Sequence, residues 1–198
     1  MKNATSVDIV IGGKTLTLET GLLARQAAGA ALVKLGETVV FSAVTAGEKP
    51  KEGIDYFPLQ VEYREKYYAA GRFPGGYIKR EAKPSEKEIL STRMTDRPVR
   101  PLFPDSYRNE VQINNMLMSA DGEHDSDILS IVASSAALTI SEIPFNGPVA
   151  AVRVGRVNGQ FIINPTHSER ATSDIDLIYA STRDLPLMIE GGGKEIQE

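Results

Sequence analysis

Residues 125–164 read DSDILSIVASSAALTISEIPFNGPVAAVRVGRVNGQFIIN, a helix-forming pattern followed by a β-hairpin pattern. Asp125 or Ser126 can cap a helix over residues 127–142, and Pro144 ends it because proline cannot continue the hydrogen-bond ladder. One face of this helix is apolar and includes a small side chain, which allows close approach to a sheet: Ile128, Ile131, Val132, Ser135 and Leu138. The stretch therefore predicts a helix packed on a sheet.

The hairpin pattern has two β-patterned runs, residues 149–157 and 160–164, on either side of Asn158-Gly159. This pair readily adopts the positive φ angles of a two-residue turn. Gly12-Gly13 and Gly36-Glu37 mark similar turns, although the alanine-rich residues 22–31 also fit a helix. The other β patterns cover residues 6–11, 14–19, 31–47, 59–64, 110–119, 174–181 and 187–190. Many antiparallel strands with two good helices predict an α+β fold, with mostly antiparallel or mixed sheets packed against two main helices.

Composition excludes several kinds of site. The chain has no cysteine, which removes disulfides, thiol catalysis and thiolate metal sites, and its two histidines make a histidine-rich metal site improbable. No apolar run is long enough for a signal peptide or a membrane span, so we expect a cytoplasmic protein with no membrane partner. Walker A, EF-hand and catalytic-triad patterns all fail at required positions, so none of these motifs supplies a catalytic residue or a metal ligand.

Charge is concentrated in one part of the chain. Residues 64–100, which we call the basic segment, hold ten Lys or Arg against five acids, whereas the whole chain carries a net −4 and the remainder therefore −9. Within the segment, Ser85 and Glu88 form a capping-box pattern that starts a helix. We expect this helix to end near Asp96, because Arg97 precedes Pro98, and to turn Ile89, Leu90 and Met94 toward the core.

The cations of the basic segment suit a polyanionic ligand. Lys79, Arg80 and Lys83 lie in a glycine- and proline-rich loop, and Arg93, Arg97 and Arg100 follow on and after the helix. The guanidinium group matches phosphate oxygens, and neutralising phosphates supplies much of polynucleotide affinity. The alternative is an ion-paired surface, with Arg93 bound to Asp96 and Arg97 to Glu86 or another acid.

Aromatic residues interleave with these cations. Phe73 and Tyr77 flank Pro74-Gly75-Gly76 in the loop, where burial is difficult, and are the candidates for stacking on bases. Tyr67 and Tyr68 are the alternative case, since one of them can be the buried end of the preceding strand. Rings beside cations predict a site for single-stranded nucleic acid.

Several runs of residues closely resemble the bacterial polynucleotide phosphorylase family. They are LTLETG (16–21) with Ala24-Arg25-Gln26, YAAGR (68–72), PSEKE (84–88), DRPVRPLF (96–103), SADG (119–122) and IPFNGP (143–148). The resemblance spans essentially the whole chain in order and concerns the first of that family's two RNase PH-like cores. It implies the RNase PH-like fold, also described as ribosomal protein S5 domain 2-like, for residues 1–198 as a single core, with residues 190–198 as the start of a linker.

The resemblance implies a phosphorolytic 3′ to 5′ exoribonuclease, in which inorganic phosphate is the co-substrate and nucleoside diphosphates are released. It also implies single-stranded RNA as partner, a homotrimer of the full-length enzyme, and magnesium at the second core rather than in this chain. The family's channel loop, usually two aromatic and two basic residues, falls on Tyr77, Ile78, Lys79 and Arg80, so Ile78 replaces one ring. The implied RNA-binding residues are Arg72, Phe73, Tyr77, Lys79, Arg80, Lys83, Arg93, Arg97 and Arg100.

In an active core of this family, an Asp-x-x-x-Asp-x-Asp-x-Lys pattern holds the metal and the phosphate. The corresponding residues here are Arg170, Asp174, Asp176 and Ile178, so one carboxylate and the lysine are missing. We expect a structural role for the two aspartates and a non-catalytic, RNA-guiding core. A stand-alone RNA-binding ring subunit of an exosome-like assembly and an unrelated α+β protein with an ion-paired surface remain the alternatives.

Overall fold

A computed structural model describes residues 4–77, 79–81 and 83–194 and shows two β-sheets around a central helix. The strands of the larger sheet are β1 (Thr5–Ile11), β2 (Lys14–Thr20), β3 (Gly29–Leu35), β4 (Thr38–Pro50), β5 (Leu59–Glu65) and β6 (Asn109–Ser119). Their order in the sheet is β1-β2-β3-β4-β6-β5, and β5 and β6 run parallel.

The strands of the smaller sheet are β7 (Ala150–Val157), β8 (Gln160–Ile163), β9 (Ile175–Ser181) and β10 (Pro186–Gly193). This sheet is antiparallel and has the order β10-β9-β7-β8. The β7–β8 turn carries positive φ angles at Asn158 and Gly159, and the β1–β2 turn carries them at Gly12 and Gly13. Both predicted hairpins are confirmed, as is the antiparallel β3–β4 pair around Gly36.

Two long helices fill the space between the sheets. They are α1 (Glu86–Val99) and α2 (Ser126–Thr139), and a one-turn helix, α3 (His167–Arg170), follows β8. Most of α2 is buried: its side chains pack against β3 and β4 on one side and against α1 and β7 on others. This arrangement confirms the α+β architecture. Among the described residues, no helix combines the length and apolarity needed to cross a bilayer.

The predicted end of α1 was wrong. The helix continues through Pro98 to Val99, and the Arg100 N–H still bonds to the Asp96 carbonyl. Pro98 and Val99 are both buried, so their packing outweighs the preference of a residue before proline for extended backbone.

The predicted core face of α1 was also largely wrong. Met94 is buried, but the side chains of Ile89 and Leu90 are 49% and 54% exposed. The buried face of the helix contains Glu88, Ser91 and Thr95, and the Thr95 hydroxyl donates to the Ser91 carbonyl at 3.1 Å and lies 3.0 Å from the hydroxyl of Ser130 on α2. A mixed polar face cannot be located from hydrophobic spacing.

Other boundaries differ from the predictions by a few residues. α2 ends at Thr139, three residues before the predicted end, and residues 22–28 are irregular rather than helical. Asp125 occupies the N-cap position of α2 without a side-chain capping bond. Residues 190–193, predicted to begin a linker, belong to β10 because they pair with residues 175–178 of β9.

Candidate nucleic-acid interface

The basic loop, residues 66–84, joins β5 to α1. After Glu65 the chain makes one 3₁₀ turn over Tyr67–Ala70, reverses at Gly71 with φ +65°, and reaches the N-cap Ser85. The Ser85 hydroxyl accepts a bond from the Glu88 N–H, and the Glu88 carboxylate accepts one from the Ser85 N–H, which confirms the capping box. The loop therefore leaves and rejoins regular structure on one side of the molecule.

Most cations of the basic loop are exposed. Arg72, Lys79, Arg80 and Lys83 form no ion pair within the described residues, while Lys66 lies 3.3 Å from the Glu81 carboxylate. Exposed cations without a carboxylate partner remain available to an anion. The structure thus leaves the predicted loop cations accessible.

The two candidate stacking residues are exposed as predicted from the loop composition. The Phe73 side chain is 92% exposed and that of Tyr77 is fully exposed. Tyr67 and Tyr68 are each about half exposed, at 49% and 50%, so neither is the buried end of the strand. Ile78, the predicted replacement for a second ring, lies outside the described residues.

Among the residues that the structure describes, the three arginines on and just after α1 divide into one side chain without an ion pair and two paired side chains. Within the described residues Arg93 is exposed and makes no ion pair. The Arg97 guanidinium lies 2.8 Å from the Glu190 carboxylate on β10. Arg100 binds both carboxylate oxygens of Asp96, at 2.6 and 2.9 Å, and donates to two backbone carbonyls. Part of the ion-paired alternative is therefore realised: Arg97 binds another acid, as that alternative allowed, whereas Asp96 binds Arg100 rather than Arg93.

Two cavities adjoin the basic segment. One of about 520 Å³ lies at the base of the basic loop, and its lining includes Arg80, Lys83 and Lys87 together with Glu81 and Glu88. The lining of the other, also about 520 Å³, includes two aromatic rings, one acid and three arginines: Phe57, Phe103, Asp105, Arg97, Arg100 and Arg108. Sequence analysis did not identify Arg108, because it lies beyond the charge-rich segment.

The aspartates at the positions of the family's metal-binding pattern, Asp174 and Asp176, do not form a metal site. Asp174 binds Arg156 through both oxygens at 2.8–3.1 Å, and Asp176 binds Arg153 at 2.8 and 3.0 Å. The Arg156 side chain, through its hydrogen bonds, lowers the pKa of Asp174. Among the described residues, no group of three or more His, Asp or Glu side chains is placed to hold a metal ion. A divalent cation therefore does not fit this set, in which arginines hold the carboxylates.

The serines of α2 are equally committed to structure. Ser134 and Ser135 are buried, and the Ser134 hydroxyl donates to Asn115 at 2.9 Å. The Ser135 hydroxyl accepts the Val149 N–H at 2.7 Å. Neither hydroxyl is available to bind inorganic phosphate.

A buried ionic cluster that the sequence did not reveal lies beside these residues. The Arg153 side chain contacts carboxylates of Asp127 at 2.7 Å, Asp176 at 2.8 Å and Asp125 at 3.0 Å, although its Nε–H does not point at Asp125. Burial raises the pKa of Asp127, and the positive charge of Arg153 opposes that rise. Asp125 also binds His167 and Arg170 at 2.8 and 2.7 Å. The cluster joins α2, α3 and the smaller sheet.

Two family models together cover most of the chain. The family model described as "3' exoribonuclease family, domain 1" matches residues 12–144, and the model described as "3' exoribonuclease family, domain 2" matches residues 147–198. The chain belongs to the 3′ exoribonuclease family. It is 55% identical over 190 residues to the polyribonucleotide nucleotidyltransferase of Thermomicrobium roseum, and this match covers 96% of the chain and 24% of that relative. The chain spans about a quarter of the length of the curated relatives that it matches.

Two solved structures share the fold of this chain. An Archaeoglobus fulgidus exosome chain, from a structure with RNA bound to the active site, superposes with a TM-score of 0.70 at 18% identity, covering 100% of this chain and 80% of that one. Rice (Oryza sativa) Rrp46 gives a TM-score of 0.72 at 16% identity, covering 91% and 81%. The RNase PH-like fold predicted from the sequence is confirmed.

Proposed function

We propose that this chain is the N-terminal, non-catalytic core of a polyribonucleotide nucleotidyltransferase and guides single-stranded RNA. The observation that carries the proposal is the basic loop, where Arg72, Lys79, Arg80 and Lys83 are exposed and form no ion pair within the described residues, beside the exposed rings of Phe73 and Tyr77. Cations that bind phosphates beside rings that stack on bases hold a flexible strand without sequence preference. The match to curated nucleotidyltransferases supports the same reading.

In the reaction that we assign to the whole enzyme, an oxygen of inorganic phosphate attacks the phosphorus of the last phosphodiester at the 3′ end of RNA. The bond from phosphorus to the 3′ oxygen breaks, that oxygen is protonated, and a nucleoside diphosphate leaves. The second core would hold magnesium and carry out this step in a cytoplasmic homotrimer. This chain would contribute RNA contacts only, because Asp174 and Asp176 are bound by arginines and the serines of α2 are buried.

The proposal is tested by separating binding from chemistry. The chain is incubated with poly(A), inorganic phosphate and magnesium, and released nucleoside diphosphate is measured beside a two-core relative. We expect RNA binding that weakens with added salt and no diphosphate release. Release at a rate near that of the two-core enzyme would contradict the non-catalytic assignment, and salt-insensitive or absent RNA binding would contradict the guiding role.

A further inference from the structure

Glu88 lies between the two ends of the basic loop. Its side chain is 8% exposed, and its Oε2 accepts the Ser85 N–H at 2.6 Å, as a capping box requires. Its Oε1 accepts a second N–H, that of Glu65 at the end of β5, at 3.0 Å. One buried carboxylate therefore binds the residue before the loop and the residue after it.

Further contacts involve residues at the two ends of the basic loop, 65–67 and 81–88, which we call the neck. The Glu81 carboxylate accepts the Tyr67 N–H at 2.6 Å and pairs with Lys66 at 3.3 Å. The Glu65 carboxylate pairs with Lys87 at 2.8 Å and also accepts the Ser126 hydroxyl of α2 at 3.1 Å. These contacts join the two sides of the neck to each other and to α2, whereas Phe73 and Tyr77 in the rest of the loop are exposed to solvent.

We propose that Glu88 is a positioning residue for RNA binding, holding the basic loop so that its cations and rings face one RNA strand together. The inference rests on the proposed function of the loop. Glu88 does not contact RNA in this scheme. It acts by fixing the separation of the loop ends, which raises the fraction of molecules whose loop is competent to bind.

Glu88→Gln tests whether the bonds from the Ser85 and Glu65 N–H groups to the Glu88 carboxylate, which we call the clamp, position the loop. Glu86→Gln is its matched control. Both residues lie in the first turn of α1 and lose the same charge, but Glu86 is exposed. A glutamine amide has one acceptor oxygen, so it cannot bind both N–H groups, and its NH₂ faces the second one. Electrostatics alone would make either variant bind RNA slightly more tightly, because a negative charge near the cations is lost. The clamp predicts the opposite sign for Glu88→Gln.

We expect Glu88→Gln to weaken binding of a labelled oligo(A) about fivefold to tenfold, since apparent affinity falls with the competent fraction. The dependence of affinity on salt should keep its slope, because the bound complex retains its phosphate contacts. Glu86→Gln should bind as the unaltered chain or more tightly. Equal affinities of the two variants would overturn the proposal.

A measurement on the unaltered chain keeps the proposal testable if Glu88→Gln fails to fold. Hydrogen exchange should show protection of the Glu65 and Ser85 amides, and rapid exchange of both would overturn the clamp. The double variant Lys79→Ala with Arg80→Ala distinguishes a failure of the proposed loop function from a failure of the Glu88 proposal. If that double variant binds RNA normally, the role of the loop fails, whereas the amide protection still decides whether Glu88 holds the neck.

Discussion

The Arg97 guanidinium lies 2.8 Å from the Glu190 carboxylate and so joins the last turn of α1 to the edge strand β10. Both side chains are about half exposed. Exposed ion pairs of this kind contribute about 0–1 kcal/mol to stability, because water and salt screen them. A phosphate group could therefore replace the carboxylate at little cost, and the pair does not exclude Arg97 from an RNA site.

Glu190→Gln is expected to raise RNA affinity, by about twofold, because it removes the internal competitor for Arg97 and a negative charge near the site. Arg97→Ala should lower affinity and reduce the salt slope by about one, the value for one lost phosphate contact. Fluorescence anisotropy at several salt concentrations measures both. Glu48→Gln, an exposed acid with no ion pair among the described residues, is the control. An unchanged slope for Arg97→Ala would remove this residue from the interface.

Replacing both Lys79 and Arg80 by alanine should weaken RNA binding and lower the salt slope by at most about two, one for each lost phosphate contact. The control removes two other exposed cations, Arg25 and Arg183, which make no ion pair within the described ranges. That control has the same change in net charge. If both double variants bind equally, long-range attraction explains the affinity and the loop makes no specific contact.

Local sequence rules predicted the elements that depend on local chemistry. The turns at Gly12-Gly13 and Asn158-Gly159 and the capping box at Ser85 require particular residue types at fixed spacing, and the structure contains all three. Pro98 shows where such rules stop. The bias against a helical residue before proline is local, but the burial of Pro98 and Val99 depends on residues distant in sequence.

The candidate site divides in the same way. Exposure of Phe73 and Tyr77 followed from their place in a glycine-rich loop, since little surrounding chain is available to bury them. The sequence did not predict the specific partners of Arg97 and Arg100. Glu190 is 93 residues from Arg97, and the ion-paired alternative placed Asp96 against Arg93 rather than Arg100. The Arg153 cluster was equally hidden, as its aspartates come from α2 and β9 and from the N-cap of α2.

Arg153→Leu should strongly destabilise the fold. It would leave the buried carboxylate of Asp127 without the guanidinium that it binds, whereas Asp125 would keep Arg170, and breaking a buried ion pair in this way costs about 3–5 kcal/mol. Urea unfolding followed by circular dichroism measures the free energy of unfolding. Arg156→Leu is the control, because it breaks a single, more exposed pair with Asp174, and its effect should be much smaller. Equal losses would show that the cluster has no special structural weight.

Asp121 should make the fold sensitive to acid. Partial burial acts to raise the pKa of its carboxyl, but the N–H groups of Glu123 and His124 and the His124 ring lower it more, so the pKa lies well below the ordinary value of 3.8. A depressed pKa in the folded state adds stability above the unfolded pKa, and this is lost as pH falls through the folded value. Asp121→Asn should therefore be less stable at neutral pH and lose less stability below about pH 4. Thermal unfolding from pH 7 to pH 2 tests this, with the exposed Asp55→Asn as control.

Tyr77→Trp offers a direct test of stacking. The chain has no tryptophan, so the substitution introduces a single reporter at a side chain that is fully exposed. If Tyr77 stacks on a base, oligo(A) should quench the Trp emission while affinity is kept, whereas Tyr77→Ala should weaken binding by about 1–3 kcal/mol. Phe161→Trp, an exposed position on the edge strand β8, provides the control and should show no quenching. Unchanged emission of Tyr77→Trp at saturating RNA would mean that the strand is held by its phosphates alone.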